Sequence, residues 1–121
     1  MDVWTIQIAR YRLLHGTDIE FVDITLKSGI LDFAPTPKLL YDHKRGAISD
    51  ETYRREYRRL CWERIQSNPL PWTKLIHRER VALACYCPKD CFCHRLEILK
   101  PLEWLCGEKG IRFEYHGEIV I

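Results

Sequence analysis

Four of the six cysteines in this 121-residue chain fall within nine residues, Cys85, Cys87, Cys91 and Cys93, and His94 and Arg95 follow at once. Three chemistries compete for such a cluster. Thiolate sulfur and imidazole nitrogen are the donors Zn²⁺ prefers in a tetrahedral shell, which makes Cys85, Cys87, Cys91, Cys93 and His94 candidate metal ligands. The spacing, C-x-C-x3-C-x-C-H, is tighter than the two to four residues that usually separate paired zinc ligands. A second chemistry needs no metal. A guanidinium and helix amides just past a strand form an anion site, and the same positive field lowers a neighbouring thiol's pKa. In that reading Arg95 holds a phosphate, His94 donates or shuttles a proton, and Cys85 or Cys93 supplies the thiolate. The third reading is structural: the cysteines are small buried residues, and His94 and Arg95 cap and pair within the fold.

The elements that must position this cluster are legible on either side of it. Val81-Ala-Leu-Ala is a short apolar run expected as a buried strand. Leu96, Ile98, Leu99, Leu102 and Leu105 recur at helical spacing over 95–108, with Pro101 expected to kink that helix or restart it. The arrangement is strand, polar loop, helix, and open α/β sheets place ligands just beyond the carboxyl ends of their strands.

A second loop is a candidate neighbour. Ile19 to Leu26 reads as a strand interrupted by Asp23, and Lys27-Ser-Gly29 follows it. Its amides could face an anion, although the spacing is not that of a Walker loop and an ordinary strand-to-helix connection explains it equally. Lys27, Ser28 and Thr36 are the candidate ligand-binding residues here. Thr36-Pro37 is a helix start, threonine as N-cap and proline at the first helical position, and that helix stops at Gly46. Ser49-Asp-Glu opens the next helix, which ends at Asn68-Pro69. Tyr53, Tyr57, Leu60 and Cys61 form its apolar stripe, with Cys61 expected as a packed thiol. Arg54, Arg55, Arg58 and Arg59 lie on its other side, where they could touch nucleic-acid phosphates, or form a solvated face diluted by acidic neighbours. A short helix follows from Leu70 to His77, and strands are also expected at 3–9 and from 111 onwards.

Nineteen basic against seventeen acidic residues leave a net charge of +2, too balanced to argue for nucleic-acid binding from charge alone. No apolar run approaches the roughly 18 residues that span a bilayer, and the first residues lack a signal-peptide pattern. A cytoplasmic, reducing setting without a membrane partner is therefore expected, with cysteines as thiols or ligands rather than disulfides. The length suits one domain over residues 1–121. Strands separated by helices predict an α/β fold, a small, mainly parallel sheet of about four strands with helices on both faces.

The cluster also resembles a known pattern. Leu83-Ala-Cys85, seven loop residues and then Cys93-His94-Arg95 are similar to the small bacterial and phage proteins of the domain-of-unknown-function 488 group, and Cys85-Tyr-Cys-Pro88 to the related 4326 group. The likeness extends to Lys27-Ser-Gly29, Phe33-Ala-Pro-Thr36, the Tyr53 and Tyr57 helix and Gly117-Glu-Ile119, while Cys91 and Pro101 depart from it. The resemblance implies a compact intracellular α/β domain, often carried on mobile elements, and no particular reaction.

Two functions follow as expectations. The first is a protein that binds a phosphate-bearing ligand, a nucleotide or nucleic-acid end, at Cys85, Cys93, His94 and Arg95, with possible thiolate catalysis. The second is a non-catalytic accessory protein whose Cys/His loop is a structural zinc site.

Overall fold

The computed structural model of the protein describes residues 1–87 and 93–120. Its centre is a sheet of four strands, β1 (Asp2–Gln7), β2 (Glu20–Asp23), β3 (Arg80–Cys85) and β4 (Glu114–Ile119). They lie in the order β2-β3-β1-β4, and every pairing is parallel. Five α-helices complete the fold: α1 (Pro37–Lys44), α2 (Asp50–Ser67), α3 (Leu70–Ile76), α4 (His94–Glu97) and α5 (Leu99–Glu108). This is the α/β architecture with a parallel four-stranded sheet that the alternation of elements predicts.

Helices cover both faces of the sheet, but unequally. Val3, Val22, Val81 and Leu83 point to one face, where they pack on Tyr57, Cys61, Trp72, Ile98 and Leu102 from the α-helices. Ile6, Ala82 and Ala84 point to the other, which meets Leu14 from a 3-10 helix, Ile8–Leu14. Because side chains alternate along a strand, the Val81-Ala-Leu-Ala run serves two cores at once. Among the described residues, the second face, with alanines at 82 and 84, is covered by this one short 3-10 helix rather than by a layer of α-helices.

Three local differences from the sequence expectation have physical causes. The second strand stops at Asp23 because the Asp23 carboxylate takes the Thr25 amide and hydroxyl, 2.9 and 2.7 Å away, and turns the chain. The helix expected over 95–108 is two helices, broken at Ile98. Pro101 has no N–H to return to the Glu97 carbonyl, so the ladder cannot run through. The last strand begins at Glu114 and carries a bulge, where Val3 faces Tyr115 but Thr5 faces Glu118. Gly117, at φ 104°, supplies that irregularity. It also turns Glu118 onto the helix-covered side of the sheet, beside Thr5. Among the described residues, no helix is long and apolar enough to cross a membrane.

Candidate functional site

β2 and β3 are neighbours, and the chain leaving both of them lines one cavity of about 880 Å³. Thr25, Leu26 and Lys27 come from the end of β2, and Cys85, Tyr86 and Cys87 from the end of β3. Cys93 and His94, at the start of α4, form the floor between them, while α1 and α2 add Leu40, His43, Lys44, Asp50 and Tyr53 as the far wall. The cavity therefore sits where open parallel sheets place ligands.

On the floor, Cys85, Cys93 and His94 are all buried, 3%, 3% and 4% exposed, and their ligand-type atoms lie within 4.8 Å of one another. His94 donates from Nε2 to the Ile24 carbonyl at 2.7 Å. That bond fixes the tautomer, so Nδ1 keeps its lone pair, 3.6 Å from the Cys93 sulfur. Burial pushes the His94 pKa down, which favours the neutral ring. The ring is also wedged by an aromatic column: Tyr57 meets it edge-on at 5.4 Å, Tyr53 stacks on Tyr57 at 6.2 Å, and His43 lies on Tyr53 at 4.4 Å. Tyr57 is itself pinned by a 2.6 Å hydrogen bond to the Phe33 carbonyl.

The three sulfurs hydrogen-bond to one another, and their pKa values are pushed apart. Cys87 lies well below the ordinary thiol range because Cys85 and then Cys93 hydrogen-bond to it, and Arg95 adds a positive field. Cys93 is pushed far up by its hydrogen bonds to Cys85 and Cys87 and by burial. Cys85 is also raised, chiefly by its hydrogen bond to Cys87. The half-buried Cys87 is thus the thiol that ionises first. Cys61 and Cys106 are buried elsewhere, Cys61 against Tyr57 with its pKa pushed up to about 12 by desolvation. The expectation of Cys91 as a ligand lies outside the described residues.

The other residues singled out from the sequence are placed as follows. Arg95 has a fully buried side chain, gripped by Glu118 through Nε–Oε1 at 3.1 Å and Nη2–Oε2 at 3.2 Å, and it reaches the Cys87 carbonyl at 3.4 Å. Burial alone would lower its pKa, but Glu118 and Cys93 together more than offset that and keep it charged. Its guanidinium thus backs the cysteine loop from behind, and the single turn of α4 carries little helix dipole.

Lys27 lines the cavity, with Nζ 5.9 Å from the centre of the Tyr86 ring. Ser28 ties the two strand ends together, donating to Asp23 Oδ2 at 2.6 Å and sharing a 2.7 Å hydrogen bond with the Tyr86 hydroxyl. The amides of this loop turn inward: Thr25 N to Asp23 Oδ1, Ser28 N to Thr25 Oγ1, and Gly29 N to the Thr25 carbonyl. Thr36 caps α1, accepting from Leu39 N at 3.2 Å, and lines a separate, smaller hollow with Lys38 and Asp42.

The arginine face of α2 is laced with carboxylates. Arg54 and Arg58 meet Glu97 at 3.2 and 2.8 Å, Arg59 meets Glu56 at 2.8 Å, and Arg55 meets Glu56 at 3.6 Å.

Tyr53, Tyr86, His43 and Lys44 belong to the site but are not among the candidates read from the sequence. Tyr86 sits inside the cysteine stretch itself, whereas His43, Lys44 and Tyr53 enter through packing between distant segments, although the Tyr53–Tyr57 spacing did mark the helix face that reaches the cavity.

No curated protein and no solved structure matches the chain. A family does: the one described as the active DUF488-N3 subclade, DUF488-N3a, matches residues 3–104, from β1 into α5 and including every cavity residue named above. The Cys85 to Cys93-His94-Arg95 pattern that frames the cavity floor lies inside that match, and the chain belongs to the domain-of-unknown-function 488 family.

Proposed function

We propose that this protein binds a phosphate-bearing small molecule of nucleotide size in the cavity at the ends of β2 and β3, and acts on it at the cysteine–histidine floor. One observation carries the reading. Lys27 and Lys44 line the cavity as cations, and among the described residues no carboxylate pairs with either. The surfaces between them, Leu26, Pro35, Leu40, Tyr53 and Tyr86, are apolar or aromatic. Two lysines over such walls suit a ligand with a planar ring at one end and an anionic group at the other. The volume falls within the roughly 300–1,000 Å³ of small-molecule sites. Asp50, the acid on this wall, is occupied by His43 at 2.7 Å.

Within this reading Arg95 is a positioning residue. It holds the Cys87 carbonyl from behind while Glu118 satisfies its charge. The family's description as an active subclade supports chemistry at the site rather than binding alone. The arginines of α2 give no support to a competing nucleic-acid site, since Glu51, Glu56, Glu63 and Glu97 lie against the four of them.

A thermal-shift survey with inorganic phosphate, nucleosides and nucleoside mono- and diphosphates tests the reading. It expects stabilisation by phosphorylated compounds, weakened at least tenfold in apparent affinity by Lys27→Ala with Lys44→Ala. Stabilisation by nucleosides as strong as by their phosphates, or none by either, would overturn it.

A further inference from the structure

The cavity floor could act through a free thiolate or through a metal ion, and the geometry decides between them. We infer that Cys85 Sγ, Cys93 Sγ and His94 Nδ1 form a zinc site with three protein ligands and a fourth position open to the cavity.

Four observations carry it. The three donor atoms lie within 4.8 Å of one another, Cys85 at the end of β3 and Cys93 and His94 at the start of α4. Zn–S bonds of about 2.3 Å and Zn–N bonds of about 2.0–2.1 Å at a tetrahedral angle put sulfur and nitrogen about 3.5 Å apart. The Cys93 Sγ to His94 Nδ1 separation is 3.6 Å.

The imidazole is set up for the role. Its Nε2–H is spent on the Ile24 carbonyl at 2.7 Å, the outer-shell bond that orients zinc-bound histidines, and it aims the Nδ1 lone pair at the sulfurs.

Charge closes the argument. Zn²⁺ with two thiolates and a neutral imidazole sums to zero, so the shell can occupy a place where its ligands are 3–4% exposed. Binding breaks two S–H bonds and forms two Zn–S bonds and one Zn–N bond, so two protons leave for solvent.

Cys87 stands outside the set of three and lines the cavity half-buried. Three protein ligands with an open position are the arrangement of catalytic rather than structural zinc. Metal binding stands by itself. That the open position receives a phosphate oxygen of the ligand rests on the function proposed above.

The test uses the full chain, purified under reducing conditions, stripped with a chelator and titrated with Zn²⁺ and Co²⁺. The expected result is one ion per chain, about two protons released per Zn²⁺, and cobalt charge-transfer intensity for two thiolates. Cys85→Ser, Cys93→Ser and His94→Gln should each lose more than the roughly 10–100-fold that an outer-shell change costs, while Cys87→Ser keeps one ion. A folded wild-type chain that takes no ion overturns the site. So does a three-thiolate cobalt spectrum, or loss of the ion from Cys87→Ser, either of which would mean a closed four-ligand site. The cobalt and proton readouts use wild-type protein, so a variant that fails to fold does not blunt them. Phosphate-compound binding measured on the stripped protein separates the two claims, because Lys27 and Lys44 need no metal to hold an anion.

Discussion

Glu118, on the edge strand β4, grips Arg95 at the start of α4 side-on, with two nitrogen–oxygen contacts of 3.1 and 3.2 Å. The pair joins the last strand to the cysteine loop across 23 residues of sequence. An arginine that looks ready for a phosphate from its place beside Cys93 and His94 is instead bound from within the fold.

Breaking this pair should be costly. Glu118→Ala leaves a buried guanidinium without its carboxylate, an error worth roughly 3–5 kcal/mol, and toward the lower end because Glu118 keeps 14% exposure. Urea unfolding should show that loss, with Arg95→Met costing less than Glu118→Ala. Equal stability of Glu118→Ala and wild type would show that the pair is not what holds the loop.

Gly29 allows the Lys27 loop to close on itself. A side-chain carbon there would collide with the Asp23 carbonyl and the Thr25 amide, both backbone atoms that cannot swing aside. Gly29→Ala should therefore cost about 1–3 kcal/mol, as overpacking does, and weaken phosphate-compound binding by displacing Lys27. A variant with unchanged melting and unchanged binding would contradict the loop's role.

The acidic partners of the α2 arginines should differ in weight. Glu56 is a third exposed and meets Arg59, which is two-thirds exposed. Glu56→Gln should cost within about 1 kcal/mol, as surface pairs do. Glu97 is 7% exposed and joins both Arg54 and Arg58 to α4, so Glu97→Gln should cost more. Chemical denaturation of the two variants side by side gives the comparison, and the reverse order would refute it.

Asp2 predicts an acid limb in the stability curve. A hydrogen bond from His116, then one from Arg112, lowers its pKa from 3.8 to about 2. A carboxylate with a depressed folded-state pKa adds stability above its unfolded value of about 3.9 and loses it as pH falls toward 2. Melting temperatures between pH 5 and pH 2 should therefore fall more steeply for wild type than for Asp2→Asn. Parallel curves would show that the cluster of Asp2, Arg112 and His116 contributes nothing.

The sequence disclosed those features that are set locally. Thr36-Pro37 and Ser49 cap their helices as expected, because capping involves residues only three apart. The cysteine floor was legible for the same reason, a strand end and a helix start separated by seven residues. The 3-10 helix at Ile8–Leu14 was not, since its apolar residues continue the pattern of β1 and only the opposite sheet face tells them apart. Neither was the fate of Arg95, which depends on Glu118, nor the cavity walls from α1 and α2. Those depend on long-range packing, which leaves no periodicity in the chain. Acidic neighbours of the α2 arginines were visible within the helix sequence, but the Glu97 contribution came from another helix.

The most direct test of the central claim is calorimetric titration of the full chain with the phosphorylated compound that most stabilises it, repeated with Lys27→Ala and with Lys44→Ala. The account predicts one site per chain, competition by inorganic phosphate, and at least tenfold weaker binding in each variant. Binding that ignores both lysines, or no saturable binding of any phosphorylated compound by a folded chain, would contradict it.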